Sequence, residues 1–217
     1  MPALSHQLAS RAASNANLSG ADFPIYPAAV LLAISSFLIM LLIMPPMLWH
    51  FRNRNIGATA LVAWSAILLF FIFINAIIWP NDDIHSWYNG VGLCDIEVKV
   101  QVAGEVARPA ALACILRALA AVLDTDQATL IKSKAQRRRN AIIDLSCCIF
   151  FPLLQMLFHY IVQTRRYYLY GISGCVPAVG DSIVTLFLLG MPPLIWIVID
   201  SYFAGKSTLI SLAKSIG

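Results

Sequence analysis

Charge is what this chain has least of. Of its 217 residues only 12% are Asp, Glu, Lys or Arg, while 59% are hydrophobic, and the mean hydropathy is +0.76. Soluble domains carry about 25% charged residues, so a soluble domain is excluded and an integral membrane protein is indicated. Chemistry-bearing motifs are missing too. No HExxH, GxSxG or Walker loop occurs, and no pair of intramembrane aspartates, which leaves an enzyme without a site. The histidines are not clustered and no CxxC occurs, so no metal or other cofactor is implied. No internal repeat is visible and the two halves are dissimilar, which weakens a transporter reading. Residues 1–22 are polar, rich in Ala, Ser and Asn, and lack a compact apolar core ahead of a cleavage-like site. The expectation is no cleaved signal peptide, with the first span as an uncleaved insertion signal.

Long apolar runs are what the chain does have. Phe23–Phe51, Ile56–Pro80, Leu145–Thr164 and Ser182–Ile199 carry no charge. A helix needs roughly 20 largely apolar residues to cross a bilayer, and the charged stretch from Asp95 to Leu123 is a fifth candidate. The expected fold is all-α and membrane-integral, with five spans at about 26–50, 56–79, 95–123, 141–163 and 181–203. Residues 1–25 read as an exterior tail and 204–217 as a cytoplasmic segment.

Orientation follows from lysine and arginine placement. With the amino terminus outside, the inner segments hold Arg52, Arg54, Lys132, Lys134, Arg137, Arg138, Arg139, Lys206 and Lys214. The outer segments hold only Arg11, Arg165 and Arg166. The net charge of +4 reflects this inner-face bias and not nucleic-acid binding. The sequon Asn17-Leu18-Ser19 then lies outside, where a glycan acceptor and an unused sequon in a tail both fit.

The third span is the place to look for function. It holds Asp95, Glu97, Lys99, Glu105, Arg108 and Arg117, and charge at membrane depth marks bundle interiors and working sites. At 100° per residue Glu97, Gln101, Glu105 and Arg108 fall within roughly an 80° sector. Glu105 and Arg108 form an i,i+3 pair and Asp95 and Lys99 an i,i+4 pair. Glu105 lies about 16 Å below Cys94, where an unpaired carboxylate costs about 2.5–3.5 kcal/mol; it should pair with Arg108 or be protonated. Two readings stand for the stripe: a ligand or switch site, and an interhelical polar clamp. Asp95, Lys99 and Arg117 are expected to snorkel to the interfaces.

Cys94 and Cys175 both fall at exterior boundaries, where a disulfide is permitted; Cys114, Cys147 and Cys148 read as packing residues within spans. His159 is expected as a satisfied packing histidine, and Asn75 and Gln155 as interhelical hydrogen bonders. Tyr160, Tyr167, Tyr168 and Tyr170, with Trp79 and Trp87, read as an exterior aromatic belt, with lipid binding by the two tryptophans as the other option. Pro45, Pro46, Pro109, Pro152, Pro192 and Pro193 interrupt the spans. Their kinks suit a protein that changes shape and also occur in static bundles.

Several blocks carry a resemblance: PPMLWH (45–50), AIIWPNDD (76–83), LCDIEVKVQVAGE (93–105), PAALACILRAL (109–119) and, most specific, PLLQMLFHYIVQTRRYYLYGISGCVP (152–177). In this order and spacing the chain resembles the fungal mating-pheromone receptors of the a-factor type, class D G-protein-coupled receptors. The resemblance implies a multi-pass protein of the plasma membrane with a farnesylated peptide pheromone as ligand and a heterotrimeric G protein inside, in contact with membrane lipids. A homodimer is compatible with it. The family's exterior cysteines map onto Cys94 and Cys175. Its basic inner loops map onto Arg52–Arg54 and Lys132–Arg139, which with Arg117 make the candidate G-protein-facing set. Glu97, Lys99, Gln101, Glu105, Arg108 and Trp79 are the ligand or switch candidates.

The family has seven spans and five are found here. The expectation is an incomplete receptor chain lacking the last two helices, with a truncated, non-signalling partner of full-length receptors as the alternative and a transporter third.

Overall fold

The computed structural model describes residues 24–123 and 134–216. Five helices long and apolar enough to cross a membrane dominate it: α1 (Pro27–Arg52), α2 (Ile56–Ile78), α3 (Leu93–Leu123), α4 (Lys134–Val162) and α5 (Ile183–Ser215). Between α4 and α5 lies a small antiparallel hairpin, β1 (Tyr168–Tyr170) and β2 (Gly174–Val176), with Leu169 opposite Cys175. Local signals set the helix starts. Pro27 opens α1, where a missing N–H costs nothing. The Asn55 side chain caps α2 by accepting from the Ala58 N–H at 3.2 Å, and Ser182 caps α5 by accepting from Thr185 at 3.2 Å.

The two outer helices overrun their expected ends. α4 begins at Lys134 and not near residue 141, and α5 runs to Ser215 instead of stopping near 203. Hydropathy marks where the bilayer is, whereas Lys, Arg, Gln and Ala are strong helix formers that carry a helix on into water. Much of the expected cytoplasmic segment is therefore helical.

α3 is the hub. It packs against α2, α4 and α5 and touches β2, while α1 packs mainly on α2. Of its most apolar stretch 39% is buried, against 11% for α1 and 6% for α5. Small residues make this closeness possible: Ala103, Ala107, Ala110 and Ala111 are fully buried. A Cβ on Gly57 of α2 would lie 3.0 Å from Cys114 Cβ and 3.2 Å from the Ala111 carbonyl. Helices in lipid associate through such small-residue contacts because no hydrophobic force distinguishes a neighbour from an acyl chain.

The prolines of α4 and α5 are met differently from simple kinks. A wide, π-type turn, Ser146–Phe150, precedes Pro152, and another, Leu186–Gly190, precedes Pro192 and Pro193. A proline at position i cannot donate to the carbonyl at i−4, so Pro152 deprives Cys148 and Pro193 deprives Leu189. Neighbouring helices supply both. The Trp64 indole of α2 donates to the Cys148 carbonyl at 3.2 Å, and the Gln155 amide of α4 donates to the Leu189 carbonyl at 3.2 Å.

Interhelical hydrogen bonds in membranes are worth about 1 kcal/mol. Trp64→Phe and Gln155→Met are each expected to lower stability by about that amount in detergent-unfolding titrations. Unchanged unfolding midpoints for both would show that these carbonyls find other donors.

Candidate functional site

The end of the bundle that carries Cys94 is closed by a woven cap. Cys94 at the start of α3 is bonded to Cys175 of β2, with Cα atoms 5.3 Å apart. Trp79, at the end of α2, is fully buried against Cys94, Val98 and Cys175. Its indole donates to the Tyr88 carbonyl at 3.1 Å, and its own carbonyl accepts from the Ile172 N–H at 2.8 Å. Tyr167 reaches the Asn89 carbonyl at 2.8 Å, and Trp87 the Asn81 carbonyl at 2.9 Å. Trp79 is therefore neither a belt residue nor a lipid contact; it is the core of the cap, because its N–H and both ring faces are used inside.

Beneath the cap lies a knot of polar side chains. Glu97 of α3 has no exposed surface. Its Oε1 accepts from Asn75 of α2 at 2.5 Å and from Gln101 at 2.8 Å. The same two amides also donate upward, Asn75 to the Ser173 carbonyl and Gln101 to the Cys175 carbonyl, both at 2.9 Å. The arrangement links α2, α3 and the hairpin through one carboxyl group. Gly174 makes it possible: its φ of +69° suits glycine, and a Cβ there would collide with the Asn75 carboxamide. Glu97 Oε2 and Asn75 Oδ1 are buried and have no partner among the described residues.

A second polar group ties α3 to α4. Lys99 Nζ donates to Gln163 at 2.7 Å and lies 2.8 Å from His159 Nδ1. An ammonium can only donate, so Nδ1 is the acceptor. Nζ also sits 5.5 Å from the Tyr160 ring centroid. His159 is fully buried and its Nε2 has no partner among the described residues, so it is only half satisfied. Asp95 does not pair with Lys99 as the i,i+4 spacing suggests. Arg166 takes it at 3.1 and 2.5 Å, a bidentate fit that a lysine cannot match. Lys99 turns inward to α4 instead of snorkelling.

The polar stripe is thus split by depth. Glu97 and Gln101 lie under the hairpin, whereas Glu105 and Arg108 pair with each other at 2.8 Å, with side chains 64% and 44% exposed. They clamp no second helix among the described residues. Hairpin and α2 cover the stripe only over its first turns, and below them that side of α3 is open.

At the opposite end Arg117 of α3 forms an ion pair with Asp144 of α4 at 2.5 Å, so it is an interhelical tie and not a snorkelling residue. Arg52, Arg54, Lys134, Arg137, Arg138 and Arg139 are exposed. Lys132 and Asn17 lie outside the described residues. Sequence reasoning missed Trp64 and the Arg117–Asp144 pair. The first had a usable signal: Pro152 and Pro193 announce which carbonyls need outside donors. The second had none, since the partners lie 27 residues apart.

Fold and site define a helical multi-pass membrane protein whose central, polar helix is locked to a disulfide-bonded cap. The chain belongs to the pheromone A receptor family, whose sequence profile matches residues 31–215. It is 34% identical over 149 residues to the pheromone B beta 1 receptor of Schizophyllum commune, covering 69% of this chain and 27% of that one. Over 167 residues it is 29% identical to the pheromone a factor receptor of Saccharomyces cerevisiae, covering 77% and 35%. The pheromone M-factor receptor of Schizosaccharomyces pombe is 23% identical over 169 residues, covering 77% and 44%. The chain thus spans less than half the length of each of these relatives. No solved structure matches it.

The knot makes a sharp prediction. Glu97→Gln keeps an acceptor for both amides, whereas Glu97→Leu strands two buried donors at about 1–3 kcal/mol each. Detergent unfolding should show Glu97→Leu strongly destabilised and Glu97→Gln close to the parent. Equal losses for the two would mean that the carboxyl's hydrogen bonds do not hold the cap.

Proposed function

We propose that this chain is the ligand-receiving part of a G-protein-coupled receptor for a lipid-modified peptide pheromone, set in the plasma membrane with its amino terminus outside. One observation carries the reading: the hairpin is joined to the hub helix by a continuous hydrogen-bonded path, Ser173 and Cys175 to Asn75 and Gln101 to Glu97. A peptide that shifts the hairpin alters which acceptors those amides hold, and so biases the packing of α2 against α3. Family membership supports the role, and the predominance of Lys and Arg at the end opposite the cap supports the orientation.

An apolar cavity of about 310 Å³ between α3, α4 and α5, lined by Val106, Phe158, Ile195 and Trp196 among others, suits a prenyl chain entering between helices. Lys99 and the Glu105–Arg108 pair remain candidates for contacts with the peptide or with further helices of a longer receptor. The exposed Arg52, Arg54 and Arg137–Arg139 are candidates for a heterotrimeric G protein on the inner side.

A photoreactive peptide ending in S-farnesyl cysteine is expected to label the hairpin and the α3–α5 cavity more strongly than the same peptide without the farnesyl group. Asn75→Leu should leave hairpin labelling in place while lowering G-protein nucleotide exchange in a receptor that carries this segment. Equal labelling by both peptides would remove the lipidated-ligand reading. Unchanged exchange in Asn75→Leu would remove the path through the knot.

A further inference from the structure

Two cavities meet at the arginine end of the bundle, and their chemistry differs. The first, about 380 Å³, lies between the α1–α2 turn, the end of α3 and the start of α4, and its polar lining includes Asn53, Arg54, Arg117, Arg137, Asn140 and Asp144. The second, about 640 Å³, lies between the end of α1, the start of α2 and α4; Phe51, Ala60, Leu145, Cys148 and Ile149 give it an apolar wall. Arg54, Ile56 and Ala141 line both, so the two adjoin, and Arg52 stands in the apolar one. Both volumes fall within the usual range for small-molecule sites, about 300–1,000 Å³.

Among the described residues the charges of these linings do not balance. Asp144 is taken by Arg117, and the side chains of Arg52, Arg54 and Arg137 have no hydrogen-bond or ion-pair partner among the described residues. Arg54 is held at a φ of +56°, a conformation that non-glycine residues adopt rarely. An occupant that brings several negative charges to one compartment and a slender apolar chain to the other matches both linings as described. Basic pockets between transmembrane helices suit lipid headgroups of that kind. A zwitterionic lipid leaves the arginines unmatched, and a single carboxylate or phosphate matches only part of them.

We propose that the adjoining cavities bind one phosphorylated phosphatidylinositol, with its phosphates among Arg52, Arg54 and Arg137 and an acyl chain along the Leu145–Ile149 wall. Such a lipid bridges α1, α2 and α4, where the Trp64–Cys148 bond ties α2 to α4 and no disulfide holds them among the described residues. Arg52, Arg54 and Arg137 are also candidates for the G protein in the proposed function, but the test is independent of that reading, since no ligand or G protein is involved.

The test is native mass spectrometry of the chain released from nanodiscs of phosphatidylcholine doped with either phosphatidylserine or phosphatidylinositol bisphosphate. One retained bisphosphate lipid per chain is expected, above either other lipid. Arg54→Gln with Arg137→Gln should weaken its retention about thirtyfold. Arg138→Gln with Arg139→Gln, the same charge change outside both cavities, should leave it unchanged; these are surface positions, so folding is retained in both doubles. Leu145→Trp, which fills the apolar compartment, should reduce lipid retention but not binding of soluble inositol trisphosphate. Three results would overturn the proposal: equal retention of all three lipids, equal loss in the two arginine doubles, or displacement of the lipid by soluble headgroup at matching concentration. The first two would assign the arginines to a protein-facing surface instead.

Discussion

The structure depends on one constraint: at membrane depth no water is at hand to complete a hydrogen bond. Polar groups placed there draw partners from the same helix or the next one, with Glu97 Oε2, Asn75 Oδ1 and His159 Nε2 among the buried atoms that have none among the described residues. The prolines sharpen the constraint, because each removes a donor and leaves a carbonyl open. Pro152 and Pro193 are tolerated since Trp64 and Gln155 reach across to the carbonyls of Cys148 and Leu189. The order of helices α2, α4 and α5 is therefore written in side-chain-to-backbone bonds as well as in packing. Wide turns at both prolines provide the room.

Glu97 obeys the same rule at higher stakes. A buried carboxyl is costly unless it is hydrogen-bonded, and here two amides from two elements converge on one oxygen. Those amides would be equally costly without it. The cap cannot lift away from α3 without leaving Asn75 and Gln101 short of acceptors, and the disulfide holds the same hairpin covalently. Hydrogen bonding and covalent linkage thus act on one segment from two sides. The alanine-rich surface of α3 then lets α2 come close enough for Asn75 to reach.

Much of this was legible in the chain. Four uncharged apolar runs and one charged stretch announced five helices, and the charges of that stretch announced that it could not face lipid all round. The limits came from geometry that spacing alone does not contain. An 80° sector at 100° per residue groups Glu97 with Glu105 and Arg108, yet cover depends on depth: the hairpin reaches only the first turns, so one end of the stripe is buried and the other is open. Asp95 and Lys99 are four residues apart and each found a better partner on another element, because Arg166 offers a bidentate fork and His159 and Gln163 offer two acceptors. Trp79 looked interfacial because it stands at the exterior end of the second apolar run, among the aromatics of the expected belt. Only the three-dimensional fold brings Cys175 and Tyr88 around it.

The two ends of the bundle are built on opposite principles. At the cap a disulfide, a buried tryptophan and a shared carboxyl leave α2, α3 and the hairpin few alternative arrangements. At the arginine end one ion pair among the described residues, Arg117–Asp144, joins α3 to α4, and beside it lie cavities whose linings include arginines without a partner among those residues. The wide turn of α4 lies within the helix, at Ser146–Phe150, and that of α5 near its cap-side start, at Leu186–Gly190. In both a carbonyl is bonded to a side chain of a neighbouring helix. In the receptor reading proposed above, a peptide that shifts the hairpin acts first on the acceptors that Asn75 and Gln101 hold. The hub helix that carries Glu97 also carries Arg117, so the same helix offers the route from the cap to the arginine end.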